Sequence, residues 1–191
     1  MALPTFEPVH TARLTIRPVQ ANDLPDLLAV NGDDAVTHFL PYASWGGLDD
    51  GTAWLARMQA LDAAGTGTQL AIQQKADGRV LGGVLLFNFN EGSARIELGY
   101  VLGRAHWRQG VAREAITAVC DQAFGPLGIR RIEAEVNPDN HASNNLLQRI
   151  GFAHEGRARQ RWVAKGQTYD TNLYGCLASE WQPGLGAAPP A

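Results

Sequence analysis

Hydrophobic and polar positions in the first half of the chain follow periods that predict one strand followed by two helices. Leu14 and Ile16 alternate with polar neighbours over residues 13–19, which is the period-2 pattern of a strand. Asn22 and Asp23 are helix-start residues and precede leucines at helical spacing. A second, amphipathic helix is expected from 48 to about 64, with an apolar stripe formed by Leu48, Leu55, Met58 and Leu61.

The rest of the chain predicts three meander strands, two helices and a final hairpin. Asp-Gly within 76–79 is a strong hairpin signal, and "AKGQ" at 164–167 is expected to turn a second hairpin. "NPDN" at 137–140 is typical of a helix start. The predicted strands are 69–74, 80–90, 94–102, 131–136 and two stretches within 152–177, and the helices are 113–124 and 141–150.

This order, β-α-α-β-β-β-α-β-α-β-β, predicts an α/β fold with a mixed sheet of about seven strands and helices on both faces. The strand–helix–strand passage over 94–136 predicts a parallel pair, because such crossovers are right-handed. One domain is expected over residues 1–181, with a flexible tail at 182–191.

Composition narrows the functional class. The 191 residues carry a formal net charge of −3, which argues against a nucleic-acid-binding protein. Cys120 and Cys176 form no CxxC pair, the five histidines show no zinc-like spacing, and no apolar run is long enough for a membrane helix. We therefore expect a cytoplasmic protein without a metal, a nucleic-acid partner or a membrane partner.

The segment 96–115 gives the clearest indication of a ligand-binding site. A predicted strand runs into "HWRQGVAREA", where Gly110 and Ala112 allow a ligand close to the main chain at the start of a helix. Unpaired amides at a helix start bind anions, and Arg108 and Arg113 add positive charge. The pattern is neither a P-loop nor a dinucleotide fingerprint. A phosphate or pyrophosphate is the expected ligand.

These residues, in this order, resemble the GNAT acetyltransferase superfamily. Its acyl-CoA loop pattern, Gln/Arg-x-x-Gly-x-Gly/Ala, is met from Trp107 through Gly110 to Ala112, with Trp107 departing at the first slot. That tryptophan, "NPDNHASNNLLQRIGF" at 137–152 and "TARLTIRPVQANDLPDL" near the start resemble the RimJ/RimL-type branch, which acetylates protein N-terminal amines. The resemblance covers residues 11–178.

The resemblance implies a sheet that splays apart between strands 96–102 and 131–136, with acetyl-CoA in the gap. The strand backbone would bind the pantetheine arm like an added strand, and the amides at the helix start would bind the pyrophosphate. The implied acetyl-CoA-binding residues are Tyr100, Val101, Leu102, Arg108, Gln109, Gly110, Val111, Ala112, Arg113, Asn137, Asn140 and Ser143. The alternative, structural role of Asn137 is that of a turn residue, and that of Asn140 is a helix N-cap.

The resemblance also implies direct attack of an amine on the thioester. Glu97 is the candidate base; the structural alternative is an ion pair with an arginine such as Arg131. Many members of the superfamily protonate the leaving thiolate with a tyrosine, but Leu147 occupies that slot. Ser143, one turn earlier, is the candidate proton donor, and its alternative role is that of a first-turn hydroxyl.

Candidate acceptor-binding residues come from three regions. Tyr42, Trp45, Tyr169 and Asp170 are expected near the acceptor, with Tyr174 on the same strand, whereas Trp54 is assigned to the core. Arg157, Arg159 and Arg161 alternate, so they are expected on one face of a strand, where a solvated edge is favoured over an anion site.

Three functional hypotheses follow. The first is an acetyl-CoA-dependent N-acetyltransferase acting on a primary amine, with a protein N-terminal α-amine as the preferred acceptor and a polyamine, amino acid or antibiotic amine as the alternative. The second is a CoA-binding module without turnover, suggested by Leu147. A nucleic-acid-binding domain is disfavoured by the charge. The oligomeric state is not specified, and a homodimer is kept as one expectation.

Overall fold

The computed structural model describes residues 2–184, so residues 185–191 of the predicted tail lie outside the described residues. Its strands are β1 (Val9–His10), β2 (Leu14–Pro18), β3 (Thr68–Gln74), β4 (Val80–Asn90), β5 (Arg95–Leu102), β6 (Arg131–Val136), β7 (Ala153–Ala164) and β8 (Gln167–Leu177). Its α-helices are α1 (Leu24–Asn31), α2 (Asp34–Thr37), α3 (Leu48–Ala63), α4 (Val111–Phe124) and α5 (His141–Arg149). Short 3-10 turns lie at Ala21–Asp23, Glu91–Ser93 and Arg104–His106.

The strands described form one mixed sheet in the order β1-β2-β3-β4-β5-β6-β8-β7. The pair β5–β6 is parallel, as the crossover through α4 predicts, and the other neighbours are antiparallel. The predicted α/β fold is confirmed. The sheet has one strand more than expected because residues 9–10 also pair with β2.

Helices cover both faces of this sheet. Leu70 and Ile72 belong to the larger core cluster, to which α4 and α5 contribute Ile116 and Leu147. Ala71, between them, belongs to a second cluster with residues of α1 and α3 such as Leu27 and Leu55. Successive strand residues point to opposite faces, so the two clusters lie on opposite sides of the sheet.

The predicted apolar stripe of α3 needs one correction. Leu55 is buried, but Leu48 is the first residue of the helix and is 48% exposed, because the helix starts at the edge of the second cluster. Gly51 is instead the residue at which α3 comes close to Trp45, because a Cβ at this position would lie 2.9 Å from the ring of Trp45. Within residues 2–184, no helix has the length and apolarity that crossing a membrane requires.

Candidate active site

The two parallel strands in the middle of the sheet separate before they end. Strands β5 and β6 pair at three positions, the last of them Glu97 with Glu133. Beyond that point β5 continues to Leu102 and β6 to Val136, and residues of both strands line one cavity of about 500 Å³. The expected splay is therefore present, and the cavity has the size of a small-molecule site.

The direction of the main chain decides which residues of β5 can bind a ligand in this gap. Gly103 N–H donates to Leu81 O on the β4 side (2.8 Å), while Ala94 O accepts from Arg130 N–H on the β6 side (2.8 Å). Because main-chain direction alternates along a strand, the N–H and C=O of Tyr100 point into the gap. Val101 pairs with Gly83 of β4, which corrects the expectation that its main chain is available to a ligand.

The loop after β5 leads to the start of α4. Gly110 is the N-cap of α4 and adopts the left-handed region (φ 74°), and it offers no side chain to the first-turn amides. Glu114 N–H makes the first intrahelical bond, to Gly110 O (3.0 Å). The amides of Val111 and Ala112, at the start of the first turn, therefore have no carbonyl partner within the helix, as an anion site requires. The Val111 side chain is buried in the core, so that residue can contribute only its main chain.

Trp107, the departure from the loop pattern, has a structural role. Its indole N–H donates to Leu102 O (2.7 Å), and Gln109 Nε2 donates to Ala105 O (2.7 Å). The first bond ties the loop to the end of β5, and the second braces the loop internally. The tryptophan therefore fixes the loop, although it stands where the family pattern has Gln or Arg.

A second anchor of this loop was not predicted. Arg13 in the turn before β2 donates to Gln109 O (3.0 Å) and to Glu114 Oε2 (2.7 Å), while Thr11 Oγ1 donates to Glu114 Oε1 (2.5 Å). Burial alone would raise the pKa of Glu114, but the hydrogen bonds from Thr11 and Arg13 and the charge of Arg13 outweigh it and lower that pKa. No local pattern connects positions 13 and 114, so sequence reasoning had no signal for the pair.

Turn 137–140, between β6 and α5, is held by a buried asparagine. Asn144, 8% exposed, donates to Asn137 O (3.0 Å) and Asn140 O (2.7 Å) and accepts from Tyr174 Oη (2.8 Å). Asn140 accepts from Ser143 N–H (3.2 Å), so its N-cap role is confirmed. Asn144 was missed; an asparagine inside a helix, where its propensity is poor, was the available signal.

Tyr100 and Ser143 meet on the α5 side of the gap. Their hydroxyl oxygens lie 2.5 Å apart, and both residues line the cavity with Asn137 and Asn140. Burial raises the pKa of Tyr100 to about 12, although the bond to Ser143 opposes the shift. The tyrosine thus stays protonated at neutral pH. Leu147, in the family's tyrosine slot, is fully buried in the core.

Glu97 lies on the opposite side of the gap, which faces α1 and α3. It lines the cavity, and Asn88 Nδ2 donates to its Oε1 (3.0 Å). Arg131 is not its partner, because Arg131 pairs with Glu133 (2.7 Å) and Glu155 (2.5 Å), but the charge of Arg161 interacts with Glu97. A carboxylate and a hydroxyl pair therefore flank the gap from its two sides.

The candidate acceptor-binding residues differ in whether they line the cavity. Tyr42 and Tyr169 line the cavity. Trp45 does not: it is 8% exposed in the second core cluster, and Trp54, which was assigned to the core, lines the cavity in front of it. The two indole rings are 5.3 Å apart. Which of two neighbouring rings lies at the cavity depends on tertiary packing, and the local sequence does not determine it.

Asp170 and Tyr174 are also misplaced by the sequence prediction. Tyr169 and Thr171 of β8 line the cavity, so Asp170 between them points to the other face, where it pairs with Arg157 (2.9 Å). Tyr174 is buried against α5 and bonds Asn144. Neither side chain reaches the acceptor end of the cavity.

The three arginines of β7 do not share one face. The register of β7 on β8 shifts between Ala158 and Trp162, and Gln160 has a left-handed φ of 50°. Arg157 therefore pairs with Asp170 on one face, while Arg161 pairs with Glu135 (3.0 Å) on the cavity face. Glu135 also accepts from Trp162 Nε1 (2.6 Å), and both residues line the cavity, although neither was predicted.

The cavity thus has two sides, which we name for the rest of the article. The α5 side includes Tyr100, Asn137, Asn140 and Ser143. The α3 side includes Tyr42, Trp54, Glu97, Glu135, Trp162 and Tyr169, together with apolar residues of α1, α3 and β4.

Comparison with known proteins decides the family. The family described as an acetyltransferase (GNAT) domain matches residues 13–153. The chain belongs to the GNAT acetyltransferase family. It is an N-acetyltransferase, and acetyl-CoA is the acetyl donor that this family uses.

Relatives agree with this assignment. The uncharacterized N-acetyltransferase YoaA of Bacillus subtilis is 31% identical over 169 residues, 88% of this chain and 96% of that protein. The ribosomal protein uS5-alanine N-acetyltransferase of Escherichia coli is 36% identical over 87 residues, 46% of this chain and 45% of that protein. The crystal structure of a GCN5-related N-acetyltransferase from Brucella melitensis has a TM-score of 0.83 at 27% identity, over 94% of this chain and 82% of that one. The RimJ/RimL branch, the acceptor, the homodimer and the cytoplasmic location stay predictions.

Proposed function

We propose that this GNAT protein transfers the acetyl group of acetyl-CoA directly to a primary amine in the gap between β5 and β6. The observation that carries the proposal is the placement of a carboxylate on the α3 side and a hydroxyl pair on the α5 side of one cavity, with a helix start one loop after the end of β5.

The described residues fit acetyl-CoA. The open main chain of Tyr100 supplies a donor and an acceptor to an extended amide-containing arm. The first-turn amides of α4, with Arg108 and Arg113 exposed beside them, suit a pyrophosphate. Asn137 and Asn140 line the same cavity and offer side-chain amides to the arm. Acetyl-CoA supplies the acetyl group as a thioester, which an amine can convert to an amide with release of the CoA thiol.

Glu97 is assigned the role of general base. The acceptor nitrogen must lose its proton to attack, and an α-amine, with a pKa near ~8, demands little of its base. A carboxylate beside the gap can take that proton, directly or through a water molecule. Asn88 orients the carboxylate from below β5.

Ser143 is assigned the role of proton donor to the departing sulfur. Tyr100 lies behind it at 2.5 Å and stays protonated at neutral pH, so a proton given up by Ser143 can be replaced from the tyrosine. The pair would do on this chain what a helix tyrosine does at the Leu147 slot in other members of the family.

Covalent catalysis by cysteine is disfavoured. Cys120 and Cys176 are free and buried in the larger core cluster, and burial raises the pKa of both thiols. Neither thiol is poised as a thiolate at the cavity. Direct transfer with both substrates bound is the mechanism that remains.

A protein N-terminal α-amine is the proposed acceptor class. Its support is the similarity of part of this chain to the uS5-alanine N-acetyltransferase of Escherichia coli. The test is thiol release from acetyl-CoA over a panel of peptides and amines, with mass spectrometry of the product and calorimetry of CoA binding. We expect CoA to bind and at least one α-amine to gain an acetyl group. CoA binding without turnover of any acceptor would instead support the CoA-binding module.

A further inference from the structure

The α3 side of the cavity is aromatic and apolar. Six aromatic side chains contribute to it: Phe39, Tyr42, Trp54, Phe87, Trp162 and Tyr169. Leu27, Leu40, Met58 and Leu85 add aliphatic surface. These residues come from α1, the segment after α2, α3, β4 and the β7–β8 hairpin, and they enclose the space next to Glu97, where the proposed function places the acceptor amine.

Polar groups on this side are largely partnered within the chain. Tyr42 Oη donates to Asn31 Oδ1 (2.9 Å), and Asn31 Nδ2 donates to Leu27 O (3.0 Å). Gln69 Nε2 donates to Leu70 O (3.1 Å) and Val84 O (3.2 Å). An acceptor therefore gains little by offering these groups new hydrogen bonds, and the walls act as apolar surface.

The charges on this side do not suit a polycation. Glu135 is paired with Arg161 (3.0 Å) and accepts from Trp162 Nε1 (2.6 Å). Arg57 also lines the cavity and is exposed. Glu97 is the other carboxylate that lines the cavity, and the charge of Arg161 also interacts with it, whereas binding of a polyamine would need several unpaired carboxylates.

We propose that the acceptor is a monoamine whose nitrogen is attached to a bulky apolar, aromatic-sized group. The amine lies at Glu97 and the apolar group packs against Trp54, Trp162 and Tyr169, where aromatic pairs and exclusion of water favour it over a methyl group. This inference rests on the proposed function. Two kinds of acceptor have such an amine beside an apolar group: a free aromatic amine, and the first residue of a peptide or protein.

The test compares kcat/KM for five acceptors on the intact protein with saturating acetyl-CoA. They are phenylalaninamide, alaninamide, spermidine, and two peptides that differ in beginning with phenylalanine or alanine. We expect phenylalanine to exceed alanine by at least about tenfold in the free or the peptide form, since a filled apolar pocket discriminates by that much. Preference in the peptide pair identifies a chain terminus as the source, and preference in the amide pair alone identifies a small molecule.

Variants test whether the named wall carries the preference. Trp162 is 40% exposed on the β7–β8 hairpin, so its replacement leaves the core intact. Trp162→Ala should lower the phenylalanine-to-alanine ratio about three- to tenfold, and Trp162→Phe, which keeps an aromatic ring without the N–H, should preserve it. Val163→Ala is the matched control, because Val163 is the adjacent residue, 73% exposed, and should leave the ratio unchanged.

The outcomes separate this inference from the proposed function. A preference for spermidine or for alanine, or an unchanged ratio in Trp162→Ala, would overturn the aromatic acceptor and leave acetyl transfer standing. If no acceptor is acetylated while calorimetry detects CoA binding, the proposed function fails, and this inference fails with it.

Discussion

The two sides of the cavity are built in different ways. The α5 side and the helix start after β5 come from two short stretches of chain, residues 100–113 and 137–143, and use main-chain groups, a glycine in a left-handed conformation and an N-cap. The α3 side is assembled from segments spread between α1 and β8 and uses side chains, above all aromatic rings and two glutamates. One side depends on local backbone geometry, and the other depends on packing between distant segments.

This difference suggests how the two substrates are recognised. A nucleotide-linked thioester is common to many acetyltransferases, and main-chain amides that tolerate many side chains suffice to bind it. An acceptor differs from one enzyme to the next, so its site is made of side chains on loops and a hairpin, which can change without disturbing the sheet. Each prediction below acts on one side and should leave the other unaffected.

The largest effect is expected for Glu97→Gln. Loss of the base should lower kcat about 100-fold or more, because general base catalysis typically contributes that much. The affinity for CoA should change by less than about twofold, since Glu97 lies on the α3 side. Steady-state kinetics and calorimetry measure the two quantities, with Glu7→Gln on the surface as the control. An unchanged kcat would remove Glu97 from the mechanism.

The next effect concerns Glu114→Gln and acid pH. The folded-state pKa of Glu114 lies below the ordinary carboxyl value, so its contribution to stability is complete above that value and disappears as the pH falls through the folded-state pKa. The variant should be less stable by about 2 kcal/mol at pH 7, and the gap should close below about pH 4. Denaturant unfolding across pH checks this; a gap that does not depend on pH would contradict the charged anchor.

A smaller effect is expected for Gly110→Val. A branched residue in the left-handed region costs about 1–2 kcal/mol, so the loop should shift and CoA should bind about tenfold more weakly. Gly110→Asn is the matched control, because asparagine tolerates this conformation. Calorimetry with CoA measures the affinity. Equal affinities of the valine variant and the wild type would show that the helix start is not used.

The smallest effect separates two similar arginines. The side chains of Arg157 and Arg161 are both 55% exposed and both ion-paired, but only the partner of Arg161, Glu135, lines the cavity. Arg161→Ala should raise the KM of the acceptor about threefold, and Arg157→Ala should change it by less than about 1.5-fold, as surface ion pairs contribute little. Equal effects of the two variants would contradict the assignment of Glu135 to the acceptor site.

Much of the fold and the α5 side of the cavity could be predicted. The alternation in 131–136, the Asp-Gly hairpin and the helix starts at 111 and 141 depend on residues near one another in the chain, and the crossover rule then made β5 and β6 parallel. The positions of Trp45 and Asp170 and the common face of the β7 arginines were mispredicted. Trp45 lies behind another ring and the arginines are separated by a register shift, and neither feature leaves a local pattern. Asp170 follows from strand alternation, which puts it on the face opposite to Tyr169.

Local sequence determined which segments become strands and helices and where a helix start meets a glycine, because hydrogen bonds within a few residues and apolar periodicity act at short range. Tertiary structure alone decided that Tyr100 reaches Ser143, that Arg13 anchors Glu114, and that Trp162 and Glu135 line the same side of the cavity as Glu97. These pairs are brought together by the order of strands in the sheet and by the bulge in β7. Contacts between residues far apart in the chain exist only once the sheet has formed.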